Sequence, residues 1–352
     1  MTKCLITKLN GSVDNNELLR IGEMRIKVES VESPTKDTQG FGVAFTEPTT
    51  VEIVGDGYFT DNTLTENKGK SMVVTGNQGI IVSQATTVAI RNKYKLATIA
   101  VFIPSGTPYG GNKVLNIDDL KYALSLSSLN LSSMKVSGDI ASLKNLTSLN
   151  NLHVRFTQVS GDIASLKNLT ALTTLDIFDT NIRGDIASLK NLTALINLNI
   201  SSSKVSGDIA SLNNLTALTS LDISNTQVRG DIANIYFAIK GTTKELNLAY
   251  CNNLYGDLAS LPNNILFLNC SYSNCKYTWT KGSSRTNILA CTSLRCTNID
   301  DMLNDMANMT ASFVSQNAYH KAISLIGNRT SASDAAVQTL QSKGYTVSII
   351  PA

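Results

Sequence analysis

Gly138-Asp139-Ile140 returns as Gly161-Asp-Ile, Gly184-Asp-Ile, Gly207-Asp-Ile and Gly230-Asp-Ile at an unbroken spacing of 23 residues, and a looser Gly256-Asp-Leu follows after 26. Between them runs Ala-Ser-Leu-Lys/Asn-Asn-Leu-Thr-x-Leu-x-x-Leu-x-Ile-x-x-Thr-x-Val. A period of this length denotes one small structural unit stacked on copies of itself, since each unit alone leaves its apolar edge in water. In the copy beginning at Gly161 the apolar positions are Ile163, Leu166, Leu169, Leu172, Leu175, Ile177 and Ile182. Leu175-x-Ile177 alternates with period two, which predicts a strand with both side chains inward. Leu166, Leu169 and Leu172 are spaced by three, which predicts a 3₁₀ or tight helical return. Successive strands then pair in parallel at about 4.8 Å.

The pattern resembles the leucine-rich repeat, whose core is L-x-x-L-x-L-x-x-N-x-L, and Val159-Ser-Gly-Asp-Ile163 looks like the variant with a G-x-I element after the strand. The usual Asn is replaced by Thr157, Thr180, Ser203 and Thr226, so hydroxyls stand where an asparagine ladder would run. Strand cores fall at Leu129/Leu131, Leu152/Val154, Leu175/Ile177, Leu198/Ile200, Leu221/Ile223 and Leu246/Leu248, and Leu268/Cys270 and Leu289/Cys291 extend the series. This register assigns five of the six cysteines to packing: Cys270 and Cys291 at the inward Ile position, Cys275 and Cys296 at the later Val position, Cys251 where Thr226 stands. A metal reading of Cys270-x4-Cys275 and Cys291-x4-Cys296 would require a break in register, and spacing alone does not exclude it.

Beyond residue 297 the spacing turns helical. Asn298-Ile-Asp-Asp-Met-Leu-Asn-Asp-Met-Ala opens a helix, Ile323 to Asn328 repeats the strand, Ser331 to Ser342 predicts a second helix stopped at Gly344, and Tyr345 to Ile350 a last strand. Leu96 to Ile103 with Asn116-Ile-Asp-Asp-Leu-Lys-Tyr-Ala looks like the opposing cap. Before residue 96 there is no repeat. Short β-prone runs (Met24 to Val28, Gly42 to Phe45, Val51 to Val54, Met72 to Val74, Ile80 to Val82, Thr87 to Ile90) alternate with Gly/Asn turns. The expected architecture is an α/β leucine-rich-repeat solenoid with a parallel strand ladder and strand–helix caps, preceded by a small all-β domain. Its parts are residues 1–95 for anchoring or assembly, 96–137 as N-terminal cap, 138–297 as repeats (regular over 138–230, degenerate over 231–297), and 298–352 as C-terminal cap.

Charge excludes some functions. The chain of 352 residues has 30 basic and 27 acidic groups, a net +3 too balanced for a phosphate-binding surface. No apolar run approaches the ~18 residues a membrane span needs. Lys3 and Lys8 break any apolar leader, so no secretory signal is expected. His153 stands on an outward strand position and His320 in a loop before a strand; neither has a partner at metal or catalytic spacing. The Gly-Asp pairs recur too often for a unique acid or base, with Gly expected at a bend and Asp on turn amides. Asn145, Asn168, Asn191 and Asn214 begin Asn-Leu-Thr triplets that read as repeat consensus. No enzyme activity and no cofactor is expected. Binding is expected instead on outward strand positions, with His153, Arg155, Asp176, Phe178, Asn197, Asn199, Asp222, Glu245 and Asn247 as candidates and Phe178 and Arg155 as anchors.

Three segments resemble structural proteins of phages infecting gut Bacteroidetes, particularly head-fibre or tail-fibre-like proteins: Thr7-Lys-Leu-Asn-Gly11 with Ile21-Gly-Glu-Met24, the Gly-Asp-Ile-Ala-Ser-Leu-Lys-Asn-Leu-Thr repeats, and Gly327-Asn-Arg-Thr-Ser-Ala-Ser-Asp-Ala-Ala336. The resemblance implies a virion protein whose residues 1–95 dock to other particle proteins, with self-association also open, while the repeats contact a host protein or glycan. A bacterial surface adhesin and an intracellular interaction scaffold are the alternatives.

Overall fold

The computed structural model describes residues 111–121, 123–235, 245–261, 265, 267–281, 291–308 and 322–351, together with the backbone of nine strands between Met24 and Phe102. The chain forms two compact units, Met1–Ser160 and Gly161–Ala352.

In the second unit each repeat makes one coil with two strands. A first ladder joins Thr174–Asp176, Asn197–Asn199, Ser220–Asp222, Glu245–Asn247 and Phe267–Asn269 in parallel, so that Leu175, Leu198, Leu221, Leu246 and Leu268 lie side by side. These leucines and Ile177, Ile200 and Ile223 are at most 2% exposed, as the period-two alternation requires. Leu169 N donates to Leu166 O and Leu172 N to Leu169 O, so the spacing of three is a chain of tight i-to-i+3 turns.

The structure adds a second ladder that the sequence reading treats as a bend. Asn181–Asp185, Lys204–Asp208, Gln227–Asp231, Leu254–Asp257, Asn274–Thr278, Cys291–Thr297, Ala322–Ile326 and Thr346–Ile350 form its parallel strands; the first four run through Gly-Asp segments, and the last two are the strands expected at Ile323 to Asn328 and Tyr345 to Ile350. Each Gly-Asp glycine has a positive φ, +109° at Gly207, a conformation that costs an L-residue about 1–2 kcal/mol. A Cβ at Gly207 would also collide with the Asp185 carboxylate of the preceding coil. That aspartate caps the 3₁₀ turn Ile186–Leu189 by accepting from Ala187 N at 2.8 Å. Asp162 and Asp208 do the same for Ala164 and Ala210 at 2.8 and 2.9 Å, so the expected bond to turn amides is present.

The cysteine register holds where side chains are described. Cys251 lies 3.7 Å from Thr226 Oγ1 and donates to Ile223 O at 3.0 Å. Cys275 stands opposite Gly256, as Val205 stands opposite Gly184, and Cys296 opposite Tyr277. Cys251, Cys270, Cys275 and Cys296 are free thiols and buried. Burial pushes Cys275 and Cys296 up to about 12. Cys4 and the Cys291 side chain lie outside the described residues. The backbone of Cys291, expected to extend the first ladder, instead opens strand Cys291–Thr297 of the second ladder opposite Ile323, and among the described residues the first ladder ends at Phe267–Asn269. The ladder hydroxyls bond their own coil: Thr157, Thr180, Ser203 and Thr226 each donate to the carbonyl three residues back, at 2.6–2.8 Å.

The end of the second unit changes scale. Tyr277 takes a glycine position and meets Trp279 edge-on at 5.4 Å. Trp279 Nε1 donates to Asp305 of helix α1 (Ile299–Asn308), whose Ile299, Met302, Leu303 and Met306 are buried at helical spacing. The expected second helix is a 3₁₀ turn, Ser331–Ser333, running into α2 (Asp334–Ser342). Asp300 of α1 accepts from Thr330 Oγ1 at 2.6 Å, from Thr330 N at 3.1 Å and from Ser333 Oγ at 2.5 Å, tying the two helices.

In the first unit both ladders begin antiparallel and turn parallel. Gly40–Phe45 runs antiparallel to Leu96–Phe102, which is parallel to Ser128–Asn130 and so leads to Asn151–His153. Met24–Val28 runs antiparallel to Gly111–Asn116, which is parallel to Met134–Asp139. The described strands before residue 96 include each β-prone run read from the sequence, plus Phe59–Thr60 and Glu66–Asn67. The two Asn-Ile-Asp-Asp stretches diverge: Ile117–Leu120 is a single 3₁₀ turn, because strand Ser128–Asn130 must start soon after, whereas Met302 N bonds Asn298 O and begins a full helix.

Candidate functional site

The outward residues of the first ladder do two jobs. At the end of each of these strands in the second unit an Asn or Asp turns back on its own chain and accepts from the amide two residues on: Asp176 from Phe178, Asn199 from Ser201, Asp222 from Ser224, Asn247 from Ala249 and Asn269 from Ser271, at 2.9–3.3 Å. Asn130 does so for Ser132 in the first unit. This is an Asx-type turn, and it bends the backbone out of the strand. Asp176, Asn199, Asp222 and Asn247 each shape their own backbone in this way, and Asp176 is only 8% exposed. Between coils, Asn247 Nδ2 donates to Asp222 Oδ2 at 3.0 Å and Ser220 Oγ to Glu245 Oε2 at 3.2 Å. Asn197 and Glu245 are exposed and keep outward polar groups.

The expected anchors are less prominent than the sequence suggests. Phe178 is half-buried, and in the first unit His153 and Arg155 are half-buried too. Phe178 lies partly inward because the Asx turn of Asp176 takes up its amide. His320 lies outside the described residues.

Tyr255 of the second ladder is 56% exposed, and three further exposed aromatic groups stand just past that turn. Phe156, Asp179, Ser202, Asn225, Tyr250 and Tyr272 occupy equivalent positions, all with φ between +51° and +58°. Asp and Asn suit this left-handed conformation, whereas bulky side chains rarely adopt it. Phe156 is 44% exposed, Tyr250 55% and Tyr272 53%. Tyr250 and Tyr272 stack at 4.8 Å with an angle of 17° between rings, and next to them along the ridge Asn225 Nδ2 donates to Ser202 Oγ at 3.2 Å. Reading down the repeat register shows an aromatic replacing a polar residue at these positions, a signal the candidate residues above passed over.

In the first unit a shallow cavity of about 530 Å³ is lined by Asp118, Lys121, Asp139, Ala141, Ser142, Lys144 and Asn145. Its carboxylates are committed: Asp118 accepts from Ser142 Oγ and Asp139 N, and Asp139 caps Ala141. Among the described residues no group of three His, Cys, Asp or Glu side chains could hold a metal, and no helix is long and apolar enough to cross a membrane.

No family model and no curated protein matches the chain. Solved structures do. The chain is similar to the PEPR1–AtPEP1 complex structure, with a TM-score of 0.52 and 19% identity over 73% of this chain and 35% of that one. It is also similar to the leucine-rich-repeat ectodomain of the receptor kinase GASSHO1/SCHENGEN3 from Arabidopsis thaliana (TM-score 0.44, 16% identity, 66% and 34% covered). A third is an internalin from Listeria monocytogenes (TM-score 0.43, 16% identity, 75% and 85% covered). The chain spans 34% and 48% of the length of two of the plant receptor structures it matches. Parallel ladders at a 23-residue period, with tight turns between them, give this chain the leucine-rich-repeat fold.

Proposed function

We propose that the chain is a non-enzymatic interaction protein that binds a protein or glycan surface through side chains presented by its repeats. The observation that carries this is the Tyr250–Tyr272 pair, two large, exposed aromatic groups held on left-handed backbone where the neighbouring coils carry Ser and Asn. Such backbone costs about 1–3 kcal/mol per residue and clusters at functional positions, and Tyr is enriched among residues that dominate binding. Asn197 and Glu245 are the exposed polar groups of the strand face. The setting we propose is a phage particle, with residues 1–95 attaching to capsid or tail proteins, 96–137 and 298–352 capping the stack, and 138–297 facing outward. The resemblance of the opening and closing segments supports that part.

Two experiments test the reading. Immobilised chain is compared with Tyr250→Ser/Tyr272→Ser chain for proteins and glycans retained from the surface of the cells that the source phage or bacterium meets. A ligand lost at least tenfold by the double variant supports the site, and one retained equally by both overturns it. Quantitative mass spectrometry of purified particles tests the setting: many copies per particle support it, whereas recovery only from host envelope fractions defeats it in favour of a surface adhesin.

A further inference from the structure

We infer that the strand Thr346–Ile350 is a self-pairing edge, through which two copies of this chain join about a twofold axis. The inference is independent of the ligand reading above. Thr346–Ile350 lies at one end of the second ladder and pairs in parallel with Ala322–Ile326 through all five residues, from Ala322 opposite Thr346 to Ile326 opposite Ile350. That pairing occupies the backbone groups on one side. Among the described residues no strand pairs with the other side.

The strand is only partly covered, Val347 and Ile349 being half-buried. Ile323 and Leu325 in the adjacent strand are 2% and 0% exposed, whereas no residue of Thr346–Ile350 is buried and Ile350 is 46% exposed. Open edges in natural proteins are blunted by a charged side chain, a proline or a bulge. This strand has no charge and no proline, and its register with Ala322–Ile326 is unshifted. Pro351 comes only after it, and the nearest preceding cation, Lys343, donates its Nζ to Ala307 O.

The sequence of the strand selects a second copy as the occupant. Run antiparallel against itself with Ser348 on the axis, it sets Val347 opposite Ile349 and Thr346 opposite Ile350 on both sides. Every pair away from the axis is then β-branched against β-branched, the central pair is hydroxyl against hydroxyl, and no charge meets its twin. Such a contact is isologous and closes at two copies. One five-residue strand pair buries far less than the roughly 1,200–2,000 Å² of a stable interface, so the dimer is weak, with a dissociation constant on the order of 100 μM.

Sedimentation velocity of the full chain from about 5 to 500 μM spans that range, and the expected result is a concentration-dependent shift from monomer to dimer. Ser348→Lys sets two cations on the axis at an exposed position and is expected to raise the dissociation constant at least tenfold without changing the thermal melt. Ser348→Cys, treated with diamide, is expected to give covalent dimer well above the unmodified chain. Thr346→Cys, whose thiol faces Ile350 of the other copy and not its own twin, is expected to give at least tenfold less. A monomer at every concentration overturns the inference. So does a dimer that Ser348→Lys leaves unweakened, or equal cross-linking from the two cysteine variants.

Discussion

Asp185 and Gly207 show how much of the fold rests on a pair of residues in adjacent coils. The Asp185 carboxylate caps its own 3₁₀ turn and fills the space that a Cβ at Gly207 would need. Gly207→Ala is expected to cost about 2–4 kcal/mol, the sum of left-handed strain and collision, read as a fall in the urea midpoint at constant slope. Asp185→Ala alone should cost about 1 kcal/mol through the lost cap. In the double variant the collision is gone, so the two losses should add to less than their sum; strict additivity would show that carboxylate and glycine act separately. The buried thiols make a prediction about alkaline pH. Cys275 and Cys296 are held near 12 by burial, above the unfolded value of about 8.5. Their contribution is complete below that unfolded value and is lost as pH rises toward 12, at up to about 1.4 kcal/mol per pH unit for each thiol. Urea unfolding at pH 8 and 10.5 should show that fall, and Cys275→Ala/Cys296→Ala should flatten it.

At the scale of elements, the two helices of the C-terminal segment hang on Asp300. Burial alone would raise its pKa, but hydrogen bonds from Ser333 and Thr330 and the nearby Arg329 outweigh it and hold the carboxyl below the usual range. A depressed folded pKa gives stability that is present above the unfolded value of about 3.9 and lost as pH falls through the folded one. Asp300→Ala should therefore speed amide exchange in Asp334–Ser342 while leaving Thr174–Asp176 and Asn197–Asn199 protected. These elements also show what a sequence can disclose. Leu175, Ile177 and their equivalents were legible because burial on one face leaves a period-two record, and α1 because Ile299, Met302, Leu303 and Met306 leave a helical one. The second ladder was legible only at its end, at Ile323 to Asn328 and Tyr345 to Ile350; its strands from Asn181–Asp185 to Leu254–Asp257 each contain a glycine, and glycine inside a strand ordinarily argues against one. The Asx turns at Asp176, Asn199, Asp222 and Asn247 were equally hidden: an outward Asn that bonds its own backbone has the same spacing as one that meets a ligand.

At the scale of the molecule, the repeats behave as interchangeable parts. Removing residues 184–206 deletes one whole 23-residue period and joins Arg183 to Gly207, restoring the sequence and the register of both ladders. That shortened chain should unfold cooperatively with a slope against urea reduced in proportion to the surface lost. Removing 184–203 takes three residues fewer, throws the inward leucines out of line, and should abolish cooperative unfolding; equal behaviour of the two would contradict the stacking account. Because each Gly-Asp copy from Gly138 to Gly230 repeats the motif of the one before it, recombination between copies can add or drop whole coils without inventing any new contact. Reach then becomes a quantity that inheritance adjusts, by about 4.8 Å for each copy, without touching the Tyr250–Tyr272 pair.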